Sequence, residues 1–419
     1  MTATLLPSVQ STPESMPVVD SSSEFDRYVM DTYARFPIAL ERGEGCKVWD
    51  NNGKEYLDFV AGIATCTLGH AHPAMIKAVT EQIQKLHHVS NLYYLAPQGD
   101  LAKWLVQNSC ADKAFFCNSG AEANEAAIKL ARKYAHTKLG IDDPMILTAN
   151  ASFHGRTLAT ITATGQPKYQ KNFTPLVSGF DYVPYNDIAA LETAVAKYKG
   201  RLCAIMLEPL QGEGGVRPGD RSYFQRIREI CDEHKILLIL DEVQVGMGRS
   251  GKLWGYENLG IQPDVFTSAK GLGGGIPIGA MLCKSSCDIF VPGDHASTFG
   301  GNPFACHVAL SVCQTIVDDN LIANARERGQ QLKNGLEAIA QKYPDHIETV
   351  RGWGLIVGLV IKESSTLTAR DIVQGGIEQG LLLVPAGVKV VRFVPPLIVT
   401  AAEIDQAIAT IDKTLASAK

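Results

Sequence analysis

One lysine stands in a clearing. In Ser268-Ala269-Lys270-Gly271-Leu272-Gly273-Gly274-Gly275-Ile276-Pro277, small residues crowd around Lys270. A surface lysine needs no such clearing. A lysine that forms a Schiff base does, because a planar ring must lie against the backbone and the amine must be partly desolvated to be nucleophilic. Taken alone, the motif also fits a flexible glycine loop with an incidental lysine. The second feature is Ile236–Leu240 running into Asp241 and Glu242. Five apolar residues followed by acids match a buried strand that delivers a carboxylate to its C-terminal end, the edge where open α/β sheets bind ligands. The same pattern also describes a solvated strand end. A buried acid there would hold a cationic ring nitrogen through a charge-assisted hydrogen bond of about 1.5–3 kcal/mol. The third feature is Ser119-Gly120-Ala121-Glu122, which follows Phe115-Phe116-Cys117 and opens an Ala-rich segment reaching Gly140. Ser119 and Glu122 have capping-box spacing, and Gly120 and Ala121 leave the first-turn amides open to an anion. Together these three anchors suit the aldehyde carbon, the ring nitrogen and the phosphate of pyridoxal 5'-phosphate.

Other motifs fail on their surroundings. Gly246-Met247-Gly248-Arg249-Ser250-Gly251-Lys252 matches G-x-G-x-x-G and nearly a P-loop. However, Leu253 stands where a magnesium-binding hydroxyl belongs, and the residues from Trp254 to Pro263 are too rich in breakers to open a helix. A nucleotide-dependent enzyme using this loop is the alternative from a different class. The ten cysteines form no C-x-x-C pair, and Cys283/Cys287, His70/His72 and His87/His88 lack partners at ligand spacing. Reduced buried thiols in a cytoplasmic protein are expected, with neither a disulfide frame nor a metal.

These residues need a frame. β-rich runs at Lys113–Cys117, Met145–Ala149, Leu202–Leu207, Ile236–Asp241 and Ala280–Cys283 alternate with amphipathic segments such as 73–88 and 222–234. That alternation predicts a mostly parallel sheet covered by helices. Further on, Leu355–Val360, Leu381–Pro385 and Val390–Val394 read as strands, and Thr400-x-x-Glu403 is a capping box opening a final helix. The expected division is a large α/β domain over 70–315 and a smaller α+β domain over 316–419. Residues 24–69 join the smaller unit, with Val48–Lys54 as a hairpin turn.

The 419 residues are 46% apolar and 20% charged, which excludes a disordered or fibrous chain. With 39 Lys+Arg against 44 Asp+Glu, the net charge is −5, and no basic surplus exists for binding a nucleic acid. No apolar run approaches the roughly 20 residues of a membrane span. Residues 1–23 contain no Lys or Arg but do contain Glu14 and Asp20. They read as a disordered leader, neither a secretory signal nor a transit peptide.

The motifs, in order, resemble those of the class III (ornithine/acetylornithine-type) pyridoxal-phosphate aminotransferases of fold type I, from about residue 25 onward. The matching runs include Asn118–Glu125, Phe153-His154-Gly155-Arg156-Thr157, Glu208–Glu213, Asp241–Gln244, Ser268–Lys270, Ser297–Asn302 and Arg392–Pro396. The resemblance implies a seven-stranded, mostly parallel sheet domain and a small α+β domain. It implies that Lys270 carries the cofactor and shuttles the proton, and that Asp241 holds the ring nitrogen. Gln244 would bond near the ring's 3′ oxygen, Phe153 stack on the ring, and Gly120 and Ala121 hold the phosphate. Thr298 of the partner subunit would assist, making a homodimer the active unit. Glu208 would play a supporting role.

For substrates, the resemblance implies that Arg156, with Ser297 nearby, binds the α-carboxylate of N2-acetylornithine. Arg392 would bind that of glutamate or 2-oxoglutarate, and Glu213 would mask Arg392 otherwise. An arginine fork suits a carboxylate in a way a lysine does not. The implied activity is δ-amino transfer from N2-acetylornithine to 2-oxoglutarate in arginine biosynthesis. Ornithine, succinylornithine, succinyldiaminopimelate and 4-aminobutyrate are alternatives on the same scaffold. The Pro395-Pro396 pair departs from the single proline common in the family.

Overall fold

Runs without polar alternation must be buried on both faces, and here they form the middle of one sheet. The computed structural model describes Phe25 and residues 27–417, so the expected leader lies outside the described residues. The first strands, β1 (Leu40–Glu44), β2 (Lys47–Asp50) and β3 (Glu55–Asp58), form a meander. Its 51–54 turn is closed by Asp50, whose Oδ1 accepts from the N–H groups of Asn52 and Lys54, each at 2.9 Å.

Seven strands make the large sheet: β4 (Lys113–Cys117), β5 (Met145–Ala149), β6 (Phe180–Val183), β7 (Leu202–Leu207), and, after the two-residue strands β8 (Leu210–Gln211) and β9 (Arg217–Pro218), β10 (Leu237–Asp241), β11 (Val265–Ser268) and β12 (Gly279–Cys283). Their spatial order is β4-β12-β11-β10-β7-β5-β6, parallel throughout except for β12, which runs antiparallel to both neighbours. Every residue of β5, β7, β10, β11 and β12 is buried. β8 and β9 form a separate hairpin ribbon.

A second, antiparallel sheet has the order β13-β14-β17-β16, with β13 (Ile347–Trp353), β14 (Ile356–Ile361), β16 (Val384–Pro385) and β17 (Val390–Phe393). The expected single strand over Leu381–Pro385 is in fact two. β15 (Leu381–Leu382) pairs in parallel with β3, and β16 pairs with β17, so the chain crosses between sheets at Leu383. A local apolar pattern marks a strand but not which neighbour it takes. The β3–β15 pairing stitches the amino-terminal meander to the carboxy-terminal part, reinforced by Lys54 Nζ donating to the carbonyls of Ile377 and Glu378 at 3.0 Å.

Helix α1 (Pro73–Ile83) stops short of the expected 88. The Gln82 side chain folds back to donate to the Leu86 carbonyl at 2.7 Å, in place of a further helical turn. Helix α2 (Gly120–Tyr134) continues through a π-turn to a left-handed Gly140. The last helix, α3 (Ala401–Ser417), opens on the expected capping box. Thr400 N–H donates to Glu403 Oε2 at 2.8 Å, and Glu403 N–H to Thr400 Oγ1 at 3.3 Å. Among the described residues, no helix is long and apolar enough to cross a membrane.

Following β3 is an unusual turn. Ala61, Gly62, Ile63 and Ala64 all have φ between +47° and +63°, a left-handed stretch costly for residues with a Cβ. Buried Asp58 fastens it, accepting from Val60 N–H at 2.9 Å and Ala61 N–H at 2.8 Å on Oδ1, while His70 Nε2 contacts Oδ2 at 2.8 Å.

Candidate active site

β10 ends in Asp241, and β11 leads through Ser268 and Ala269 into the turn of Lys270. These strands are adjacent and parallel, so both side chains reach the same sheet edge. A cavity of about 440 Å³ opens there. Gly120, Ala121, Phe153, Arg156, Asp241, Gln244 and Lys270 all line it, together with Glu208 and His154. Sequence positions from 120 to 270 thus converge on one site.

Asp241 is buried and braced. Its Oδ2 accepts from Asn124 Nδ2 at 2.8 Å and contacts His154 Nδ1 at 2.9 Å, and its Oδ1 accepts from Val243 N–H at 3.0 Å. Thr267 Oγ1 in turn donates to Asn124 Oδ1 at 2.7 Å, which sets the orientation of the amide. Asn124 and His154 sit inside the motifs noted above, yet the sequence assigned them no role. Their partner lies 117 and 87 residues away in the chain, a distance no local pattern bridges. The neighbouring Glu242 points away from the cavity and accepts from the N–H groups of Gly255 at 2.6 Å and Tyr256 at 2.7 Å. Burial pushes its carboxyl up to about 8.

Lys270 adopts φ +44°, a left-handed conformation forced on a non-glycine residue. Burial lowers its amine below the ordinary lysine range, with Glu213 opposing and the Arg392 charge adding to the effect. A lysine less willing to hold a proton spends more time as the free amine, the form that acts as nucleophile or general base.

At the opposite wall, Ser119 caps α2, its Oγ accepting from Glu122 N–H at 3.2 Å. The expected box is shifted by one residue: Glu122 Oε2 accepts from Asn118 N–H and Ser119 Oγ, both at 2.9 Å. The N–H groups of Gly120 and Ala121 have no partner among the described residues. A Cβ on Gly120 would stand 2.7 Å from Val243 Cγ1, so only glycine fits this cup.

Arg156 and Arg392 are treated oppositely. The Arg156 guanidinium makes no ion pair among the described residues and stacks 3.9 Å above the Tyr169 ring, whose edge meets Phe153. Arg392, on β17, is completely buried; its Nη1 donates to Glu213 Oε1 at 2.6 Å and to Gln244 Oε1 at 2.8 Å, while Nε and Nη2 have no partner among the described residues. Although burial works to raise the Glu213 carboxyl, Arg392 and Lys270 hold it below the usual range. Glu208 accepts from Phe153 N–H at 2.9 Å and Gly212 N–H at 3.1 Å, and burial pushes its carboxyl up to about 7.

Ser297 and Thr298 lie outside this cavity. Ser297 Oγ accepts from Asn118 Nδ2 at 3.2 Å beside the start of α2, and Thr298 is exposed. Around them is an uncovered apolar surface, with Leu92 84% and Phe299 62% exposed and the Phe299 ring 5.3 Å from His88. In the 246–251 loop, Gly246, Gly248, Arg249 and Gly251 N–H donate to backbone carbonyls, and the buried Arg249 side chain donates to the Leu355 and Pro395 carbonyls. This loop braces the carboxy-terminal part.

The sequence profile of the family Aminotransferase class-III matches residues 28–415. An acetylornithine aminotransferase from Nostoc sp. is 68% identical over 420 residues, covering 99% of this chain and 98% of its own length. Among solved structures, an ornithine aminotransferase from Toxoplasma gondii superposes with a TM-score of 0.91 at 32% identity, over 95% of this chain and 94% of that one. N-acetylornithine aminotransferase from Stenotrophomonas maltophilia gives 0.81 at 39% identity, over 94% and 98%. With its seven-stranded sheet of fold type I and a match along nearly its whole length, the chain belongs to the class III aminotransferases.

Proposed function

We propose that this chain transfers the δ-amino group of N2-acetylornithine to 2-oxoglutarate, giving N-acetylglutamate 5-semialdehyde and glutamate. One observation carries the reading: the cavity is lined by an arginine with no ion pair among the described residues, Arg156, while a second, Arg392, lies behind the lining residue Gln244 and is already paired with the Glu213 carboxylate. A substrate whose reacting end is a plain amine and whose far end is an α-carboxylate suits that arrangement. The relatives named acetylornithine aminotransferase support the choice among amine donors.

The residues fit pyridoxal 5'-phosphate. A phosphate-sized cup too tight for a Cβ, a braced carboxylate and a desolvated lysine line one cavity. When bound, that group supplies an aldehyde and an electron-withdrawing ring. Gly120 and Ala121 N–H would hold its phosphate, Asp241 would hold the proton on the ring nitrogen, and Phe153 would cover a ring face. The Gln244 carbonyl oxygen accepts from Arg392, and its side chain lines the cavity where it would lie near the ring's 3′ oxygen. Lys270 Nζ would anchor the group and serve as the base that holds or releases a proton beside it. Arg156 would orient the α-carboxylate of the amine donor; Ser297, expected beside it, lies outside the cavity that this chain alone forms. When 2-oxoglutarate or glutamate enters, Glu213 yields Arg392 to its α-carboxylate.

A homodimer completes the unit, with Thr298 of the partner subunit at the phosphate. The uncovered apolar surface around Leu92 and Phe299 supports this. We also propose a cytoplasmic location and the division into 24–69 plus 316–419 against 70–315, the former supported by ten free cysteines and the latter by the β3–β15 pairing.

The test is single-turnover kinetics with a panel of amine donors, each followed by 2-oxoglutarate. Acetylornithine should be preferred; ornithine or 4-aminobutyrate turning over well above it would overturn the reading.

A further inference from the structure

The Glu213 loop is gripped at two points by one row of the small sheet. Register pairs Arg351 of β13 with Gly358 of β14, and Gly358 with Arg392 of β17. Directly opposed residues share a face, so two arginines flank one glycine on the same side. The tip of the β8–β9 ribbon lies on that row. Arg392 takes the Glu213 carboxylate at 2.6 Å, while Arg351 donates to the Gly215 carbonyl from Nε at 3.0 Å and Nη2 at 2.7 Å. Between them, Val216 sits over Gly358, where a Cβ would come within 2.9 Å of it.

We infer that Arg351 is a positioning residue that fixes the backbone of this tip, so that Glu213 masks Arg392 fully against amine donors and releases it by side-chain rotation alone. Arg351 thereby sets how strictly the site separates a reacting end without a carboxylate from an α-amino acid. The inference rests on the proposed roles of Arg392 and Glu213. Its physical content is that a loop held only by its own side-chain ion pair would wander, whereas a forked hydrogen bond to a backbone carbonyl keeps the carboxylate on station in both half-reactions.

The experiment compares single-turnover half-reactions of the holoenzyme with acetylornithine and with glutamate, plus calorimetric binding of glutarate. Arg351→Met keeps the aliphatic stem and removes the donors. It should raise the glutamate-to-acetylornithine ratio of kcat/KM by roughly ten-fold, the scale of one charge-assisted bond, through KM with kcat little changed. Glutarate should bind several-fold tighter, and Arg351→Lys should recover part of the ratio. Gly358→Ala, which displaces Val216 with both arginines intact, should shift the ratio the same way and decides the matter if Arg351→Met does not fold. Glu213→Gln is the reference. If it shifts the ratio while Arg351→Met or Gly358→Ala leaves it within about two-fold, the inference is overturned and the masking reading stands. If Glu213→Gln itself leaves the ratio unchanged, the masking reading falls and the inference falls with it.

Discussion

The chemistry concentrates on the lysine and the aspartate, and their environments argue for separate tasks. Asp241 is fixed in place by three polar contacts before any ligand arrives, whereas burial lowers the Lys270 amine below its ordinary range. Asp241→Ala should therefore keep bound cofactor yet lose at least about a hundred-fold in turnover, the usual scale of a proton-holding group. Near-normal rates would show that the ring nitrogen needs no proton. Lys270→Ala should abolish both turnover and the absorbance band of lysine-bound cofactor.

A pH prediction attaches to Glu242. With its folded value raised to about 8, the folded protein holds a proton there that the unfolded chain has released, so this group's stabilising effect is lost as pH climbs from about 4.5 to 8. Glu242→Gln has no such proton to lose, so relative to the parent its melting temperature should improve as pH rises through that window. A pH-independent difference would refute the assignment. Lys270, Asp241 and the glycine cup were legible because their chemistry demands a local context of small or apolar neighbours. Asn124, His154 and Arg351 were not, because each acts through a partner that only the tertiary fold brings near.

At the level of elements, β5, β7 and β10 could be read almost to the residue, since Leu202–Leu207 is a continuous apolar run and Met145–Ala149 is broken only by Thr148. By contrast β11 (Val265–Ser268), half of it Thr267 and Ser268, was missed although it lies in the middle of the sheet. The end of α1 and the division at Leu383 could not be read, because one depends on a side-chain bond across a turn and the other on a choice between two sheets. The left-handed turn at 61–64 was equally invisible, as only Gly62 suits it. Ala64→Gly should relieve strain and stabilise the protein by about 1 kcal/mol, readable as a rise in denaturation midpoint. Asp58→Ala should cost about 2 kcal/mol or more by releasing two backbone N–H groups and the His70 contact.

At the level of the whole molecule, the proposed dimer makes a sharp prediction. Lys270→Ala and Thr298→Ala damage the same site through different subunits. A mixed dimer of the two variants should therefore contain one intact site and one doubly broken. Mixing should recover roughly a quarter of parental activity and tight cofactor binding in a matching share of sites, if subunits exchange at random. No recovery beyond the sum of the separate variants would place Thr298 in its own subunit's site. The β3–β15 seam has a different consequence, one of timing on the ribosome. Strand β3 pairs at Leu57 and Asp58 with Leu381 and Leu382, so its outer edge waits for more than three hundred further residues. At about 5–20 residues per second, a nascent chain carries that bare edge for roughly a quarter-minute to a minute. During synthesis, then, this opening meander is the segment most in need of a chaperone, and a ribosome stalled before codon 381 would release a product prone to clump.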